Sequence, residues 1–355
     1  MNKTNQSAIP KIAGELKLIA DIRRRAAAVS NRQLIKGIGD DCAILRPRAG
    51  EDMVVTTDMT IEGVHFHRDT HPARSAGHRT LARGLSDLAA MGARPVAAFL
   101  SLALSRDATV VKRGASWADE FLDGLLALAA EYKVPLAGGD TAESASITAD
   151  IVLLGAVPLG KALRRSTARA GDQIYVSGAL GGAAAELAML VEGKTQRGKI
   201  ESAARSAQQN VHPQLYPEPR IALGQMLLRK GLASAALDLS DGLSSDLTHL
   251  CEESGLAATI YADALPLHPL AVKYAARSAR DSSCSALRLA LHGGEDYELL
   301  FAAPAAARIP ARCGSLGLTR IGELHTMPGC SPRITLVEGK SKSPLKPQGW
   351  QHFHS

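Results

Sequence analysis

Aromatic residues are scarce in this 355-residue chain, at 4%. Its two compact basic runs, Arg23-Arg24-Arg25 and Arg164-Arg165, have no aromatic platform beside them, so neither reads as a nucleic-acid surface. The first is a solvated helix face in this reading. Cysteine is sparse too: Cys42, Cys251, Cys284, Cys313 and Cys330 are odd in number, far apart and without a C-x-x-C pair. That spacing argues against a disulfide framework or a zinc site and for a reducing cytoplasm. No apolar run approaches membrane-spanning length, and the polar N-terminus has no signal-peptide core. Neither nucleic acid nor a membrane is therefore expected as a partner. The net charge of +6 is modest for the length and suits small anionic substrates.

What the chain does have is a recurring acidic corner. Asp40-Asp41 follows Gly39, Thr56-Thr57-Asp58 follows an apolar run, and Ser86-Asp87, Gly138-Gly139-Asp140 and Asp238-Leu239-Ser240-Asp241 repeat the theme. Each alone is as readily a helix cap or turn former. Carboxylates are poor strand formers and expensive to bury unpaired, so their repetition beside Ser, Thr and Gly points to a shared metal–phosphate site. Hard oxygen donors suit Mg²⁺, which usually takes one or two carboxylates and completes its shell with water and nucleotide phosphates. Neighbouring side chains of an extended chain point to opposite faces, so Asp40 and Asp41 are not expected to meet one ion from the same side. Which of the two faces inward stays open.

Helical spacing predicts helices over residues 15–29, 76–91, 117–132, 183–191, 219–229, 243–254 and 287–291. Short apolar runs predict strands at 42–45, 53–57, 96–104, 134–137, 147–157, 173–177, 235–237, 257–262, 299–302, 321–324 and 334–337. The order implies α/β (α+β) architecture. We divide the chain into a disordered leader at 1–13, an N-terminal ATP- and metal-binding domain at 14–160, a C-terminal domain at 161–340 and a tail at 341–355. His65 and His67 could share a strand face, but no Cys or third His is near enough in sequence to make zinc attractive; a phosphate-facing His65 and a structural one weigh about equally. Gly178-Ala179-Leu180-Gly181-Gly182 could bind an anion or simply pack closely. Gly155-Ala156-Val157-Pro158-Leu159-Gly160-Lys161-Ala162 nearly spells a P-loop, but Ala162 replaces the metal-holding hydroxyl and Pro158 removes a donor, so we reject it.

Gly39-Asp40-Asp41-Cys42-Ala43, Thr56-Thr57-Asp58, Glu62-Gly63-Val64-His65-Phe66, Leu85-Ser86-Asp87-Leu88-Ala89-Ala90-Met91-Gly92-Ala93, Gly138-Gly139-Asp140-Thr141, Asp238-Leu239-Ser240-Asp241-Gly242-Leu243 and Gly293-Gly294-Glu295-Asp296-Tyr297-Glu298-Leu299 together resemble the thiamine-monophosphate kinase family. The likeness runs from about Gly14 to Phe353. Ser86-Asp87-Leu88-Ala89-Ala90-Met91-Gly92 marks the wider aminoimidazole ribonucleotide synthetase-like superfamily. The resemblance implies a two-domain fold whose N-terminal sheet pairs across a homodimer, with a C-terminal α/β sandwich. It implies ATP-dependent phosphorylation of thiamine phosphate to thiamine diphosphate, with several Mg²⁺ ions. By matching motif, Asp41, Thr56, Thr57, Asp58, Asp87, Asp140, Asp238 and Asp241 would serve the metals. Gly139, Asp140, Arg165 and Ser240 would serve ATP, and His65, Glu295 and Trp350 would touch the thiamine phosphate. The chain departs from the family in its leader and around residues 193–209.

The chemistry agrees. A phosphate monoester has a second pKa of about 6 and is mostly dianionic at neutral pH. Such a nucleophile needs no general base; it needs its repulsion from ATP cancelled and its oxygen placed in line. No Ser–His or Cys–His pairing stands out in the sequence. The thiazolium cation would suit a Trp face and a nearby Glu. The alternatives are an aminoimidazole ribonucleotide synthetase-type ATP-dependent cyclase and a catalytically idle nucleotide-binding relative.

Overall fold

The computed structural model describes residues 15–111, 114–193, 212–278, 285–327 and 333–350. These fall into two compact units, one of Met1–Arg46, Thr57–Leu81 and Val96–Leu153, the other of Pro47–Thr56, Ala82–Pro95 and Leu154–Ser355.

The first unit begins with α1 (Glu15–Ala26) and a small antiparallel pair, β1 (Leu34–Lys36) with β2 (Ile44–Leu45). A four-stranded sheet has the order β3 (Glu51–Ile61), β6 (Thr148–Pro158), β4 (Arg94–Leu104), β5 (Leu136–Glu143). The helices α2 (Ala73–Ala90) and α3 (Trp117–Glu131) connect its strands, and the boundary between the units falls within β3, α2, β4 and β6. A capping box starts α3: the Ser116 hydroxyl accepts the Asp119 amide, and the Asp119 carboxylate accepts the Ser116 amide. Phe121, Leu125 and Leu128 then recur at helical spacing on its buried face. Strands β4 and β5 run parallel, with Leu100 opposite Gly139 and Ser101 opposite Asp140. A Cβ at Gly139 would stand 1.8 Å from the Leu100 carbonyl oxygen, and its φ is +149°. The neighbouring strand therefore demands glycine here, whatever else the position does.

In the second unit an eight-stranded mixed sheet runs β14 (Ser341–Pro344), β13 (Ile334–Glu338), β9 (Leu256–Tyr261), β12 (Leu316–Thr326), β7 (Gln173–Ser177), β10 (Leu299–Ala303), β8 (Ala235–Asp238), with β11 (Arg312–Cys313) paired to β12. Among the described residues its helices are α4 (Gly182–Val191), α5 (Ile221–Lys230), α6 (Leu243–Ser254), α7 (Pro269–Arg277) and α8 (Ala286–His292). Every residue of β10 is buried, which is why it reads as an unbroken apolar run. Leu243, Leu247 and Leu250 of α6 join Val176, Leu237, Ile260, Leu300 and Ile321 from the strands in one core.

Most predicted elements are present, with three informative differences. The strand expected at 53–57 continues to Ile61, so Thr56, Thr57 and Asp58 lie within β3 and not at its end. The β-branched threonines favour extension, and the Thr57 hydroxyl is tied to Asp150 Oδ1 of β6 at 2.8 Å. The strand expected at 134–137 likewise extends through Asp140 to Glu143 as β5. By contrast, Asp40 and Asp41 occupy a bend, and the strand after them shrinks to Ile44–Leu45. Helix α7 and strands β1, β11 and β14 were not anticipated; each is short or has a weak apolar face. The leader at 1–13 and nearly all of the polar stretch 192–210 lie outside the described residues, as do tail residues 351–355.

Ahead of α5, Arg220 forms a buried fork on Glu298, with Nε to Oε2 at 2.9 Å and Nη2 to Oε1 at 2.6 Å. The Ser177 hydroxyl of β7 also donates to Glu298. Arg220→Met leaves that carboxylate buried without its guanidinium and should lower the unfolding free energy by about 3–5 kcal/mol. Urea denaturation at neutral pH measures this, and a loss below about 1 kcal/mol would show that the pair is not structural.

Candidate functional site

In the second unit, an open cavity of about 450 Å³ has acidic and basic residues in its lining. Thr56 and Asp87 line it, and the Thr56 hydroxyl donates to Asp87 Oδ2. Asp87 lies near the C-terminal end of α2, where the helix dipole disfavours an anion, so a partner there has something to offset. Asp238 ends β8, is 3% exposed, and accepts a 2.8 Å hydrogen bond from the Ser86 hydroxyl. Arg164 and Arg165 also line the cavity. Their loop is pinned on both sides: the Leu163 amide donates to the Met91 carbonyl at 3.2 Å, and Ser254 Oγ donates to the Arg165 carbonyl at 2.6 Å.

The turn after Asp238 holds the next group. Asp246, in the first turn of α6, accepts the amides of Asp241 at 3.1 Å and Gly242 at 3.0 Å. Burial, followed by the charges of Asp238 and Asp241, pushes its carboxyl up to about 8. Asp246 therefore favours its neutral form at neutral pH, and the two amides it accepts tie it to the turn. The loop carrying Glu295 runs alongside. The Glu295 amide donates to the Ser240 carbonyl at 2.8 Å, and the Tyr297 amide to the Leu239 carbonyl at 2.9 Å. Glu295 and Tyr297 both hold left-handed backbone, φ +67° and +49°, a strained conformation that non-glycine residues seldom adopt. The tail closes on the same turn: the Trp350 amide donates to the Asp241 carbonyl at 3.2 Å. A Cβ on Gly349 would lie 2.1 Å from that carbonyl oxygen, so only glycine permits the approach. The second unit therefore brings Thr56, Asp87, Arg165 and Asp238 to one cavity, and Ser240, Asp241, Glu295 and Trp350 to one loop cluster.

The first unit carries Asp41, Thr57, Asp58, His65, Gly139 and Asp140. Asp41 is exposed, and its amide donates to Asp40 Oδ1 at 3.1 Å. Asp140 accepts the Thr141 amide at 2.8 Å. His65 Nδ1 accepts the Ile61 amide at 3.1 Å, which leaves the proton of the neutral ring on Nε2. Among the described residues, no group of three or more His, Cys, Asp or Glu side chains could by itself hold a metal ion.

Some features answer to structure alone. The segment Gly155 to Pro158 belongs to β6 and is followed by a turn with no α-helix, consistent with rejecting a P-loop. The glycine-rich turn before α4 is filled from within: Asp296 accepts the Gly181 amide at 2.6 Å and the Ala183 amide at 3.1 Å. One Ser–His contact, unseen in the sequence, joins Ser244 Oγ to His292 Nδ1 at 2.8 Å. Ser244 is fully buried, so this pair belongs to the scaffold. Sequence reasoning also missed Asp246, whose signal was an acid in the first turn of a helix. It missed His249 and Glu253 of the cavity lining, which share a face of α6 by their four-residue spacing.

The family described as AIR synthase related protein, N-terminal domain, matches residues 39–157, and its C-terminal counterpart matches residues 169–329. Among curated relatives, the chain is 40% identical over 315 residues to the thiamine-monophosphate kinase of Salmonella typhimurium, covering 88% of this chain and 90% of that one. It is 32% identical to the Aquifex aeolicus enzyme of the same name over 318 residues, covering 90% and 93%. Thiamine-monophosphate kinase from Stenotrophomonas maltophilia superposes with a TM-score of 0.73 at 38% identity, covering 93% and 98%. A structure of AaThiL complexed with AMPPCP and TMP superposes at 0.71 with 29% identity, covering 98% and 100%. Hydrogenase maturation protein HypE in complex with ATP shares the fold, with a TM-score of 0.72 at 16% identity over 94% of each chain. The two-domain AIR synthase-like architecture sets the class. The chain belongs to the thiamine-monophosphate kinase family within it.

Burial pushes the Asp296 carboxyl up to about 7, against the lowering effect of the amides it accepts. A carboxyl raised above its unfolded value of 3.8 makes the native state bind the extra proton between those two values. The Asp296 contribution to stability should therefore fall as pH rises from about 4 to about 7 and level off above, by an order of a few kcal/mol at about 1.4 kcal/mol per pKa unit. Asp296→Asn should flatten that slope in urea melts at successive pH values. An unchanged slope would place the titration elsewhere.

Proposed function

We propose that this chain transfers the γ-phosphoryl group of ATP to the phosphate of thiamine phosphate, giving thiamine diphosphate and ADP in the cytoplasm. The observation that carries the reading is the cavity whose lining combines Thr56, Asp87 and Asp238 with Arg164 and Arg165. Carboxylates and hydroxyls there suit a divalent cation, and guanidinium groups suit phosphate. The names of its relatives agree, as does the AMPPCP and TMP complex of AaThiL.

The donor set fits Mg²⁺, because every candidate in it is a hard oxygen. Asp41, Thr56, Thr57, Asp58, Asp87, Asp140, Asp238 and Asp241 would hold several ions. When bound, Mg²⁺ supplies charge neutralisation between two phosphate-bearing substrates. The chain's own residues do the placing. Gly139, Asp140, Arg165 and Ser240 are the residues assigned to ATP. His65, with its proton on Nε2, donates to the acceptor phosphate, while Glu295 and Trp350 receive the thiazolium cation. No side chain needs to accept a proton, since the attacking oxygen is already ionised. Pairing of the four-stranded sheet across a homodimer is supported by β3 being an edge strand with Val55 and Met59 exposed.

Incubation with Mg-ATP and thiamine phosphate should yield ADP and thiamine diphosphate in equal amounts without free phosphate. Release of phosphate would favour a cyclase-type reaction, and no ADP at all a nucleotide-binding relative. Asp58→Ala and Asp87→Asn should each lower kcat about 10²-fold or more with an unchanged circular dichroism spectrum. Full activity of either variant at saturating Mg²⁺ would remove it from the metal set.

A further inference from the structure

The residues around Glu295 form a supporting chain that none of the motifs contains. Gln214 is 1% exposed, and its Nε2 donates to Glu295 Oε2 at 2.8 Å. Arg83, from α2, stands more loosely, 3.9 Å from Glu295 Oε1. Gln214 is itself fixed through its backbone. Glu186 of α4, 4% exposed, accepts the Gln214 amide at 2.8 Å through Oε2, while its Oε1 meets His212 Nδ1 at 2.6 Å. A half-buried acid–histidine pair thus anchors the short segment that brings an amide donor to one oxygen of Glu295.

We propose that Gln214 is a positioning residue that orients the Glu295 carboxylate toward the cationic heteroaromatic ring of the acceptor. The inference rests on the reading that Glu295 meets that ring. A carboxylate on a strained backbone, φ +67°, has its Cα fixed but its side-chain torsions still to be set. A neutral amide sets them while adding no charge to that of the Arg83 guanidinium 3.9 Å from Oε1. A second cation hydrogen-bonded in its place would cancel more of the charge the ring needs. Glutamine donates a hydrogen bond from a long side chain while carrying no charge.

The test measures KM for thiamine phosphate, KM for ATP and kcat in Gln214→Met, Glu295→Gln and the double variant, with thermal melts alongside. Gln214→Met should raise KM for thiamine phosphate about tenfold, leaving kcat and KM for ATP within about twofold. In the Glu295→Gln background the same change should add almost nothing, because the two residues act as one unit. Gln214→Asn, with its donor drawn back by one methylene, should show a smaller rise and serves if Gln214→Met melts early. If Glu295→Gln raises that KM but neither Gln214 variant does, the inference is overturned and the reading of Glu295 stands. Equal loss in all three parameters, or additive effects, would assign Gln214 a merely structural role. If Glu295→Gln changes nothing, the reading of Glu295 falls first and the inference with it.

Discussion

The antiparallel pairing of β8 with β10 is the constraint from which the second unit's site follows. Its ladder sets Asp238 opposite Leu299 and does not stop where the strands end. The Leu239 amide continues it to the Glu298 carbonyl at 2.8 Å, and the amides of Tyr297 and Glu295 return to Leu239 and Ser240. Two acidic loops distant in sequence are thus zipped together by main-chain bonds, whose positions are set by sheet register and not by side-chain chance. The price is left-handed backbone at Glu295 and Tyr297, on the order of 1–3 kcal/mol each. A fully buried β10 and the core of α6 behind it supply the rigidity that holds such strain.

The acidic residues divide by what satisfies them. Asp296 and Glu186 accept backbone amides at the start of α4 and of the 214–215 segment, and Asp119 caps α3. Amide donors cannot turn away, so these carboxylates are committed to the fold. Asp87 and Asp238 instead accept from the hydroxyls of Thr56 and Ser86. A hydroxyl rotates and is itself an acceptor, so it can release the carboxylate and offer its own oxygen beside it. The same holds for Thr57 and Asp150 on β3 and β6. Such pairs are satisfied as they stand, through donors that can rotate away.

Much of this was legible in the residues. The strands at 173–177 and the helix at 243–254 coincide with β7 and α6, because apolar periodicity and glycine boundaries agree there. The acidic corners were visible as repeated carboxylates where local propensity would avoid them. Their local setting was less so. Asp58 and Asp140 looked like strand ends and turned out to lie within β3 and β5, because pairing with a neighbouring strand overrides the local preference of Asp. The glycine-rich turn before α4 looked open to an anion, and only the fold shows Asp296 already there. Gln214 meets Glu295 across 81 residues, a separation that no local pattern encodes.

These distinctions bear on how a kinase can work without a base. When the acceptor arrives ionised, proton transfer contributes nothing to the barrier, and what is left to the protein is geometry and charge. Charge is the harder part, since the carboxylates that attract cations also repel both phosphate-bearing substrates until those cations are in place. In the proposed site, arginines in the same cavity lining as Asp87 and Asp238 would hold phosphate by fixed positive charge that needs no metal. Carboxylates and guanidinium groups would then have complementary roles. One set would recruit the ions, and the other would keep the polyphosphate from being driven out by the acids that recruit them. A site with only the acids would gather metal and reject substrate; one with only the arginines would bind phosphate with nothing to bring a second phosphate close.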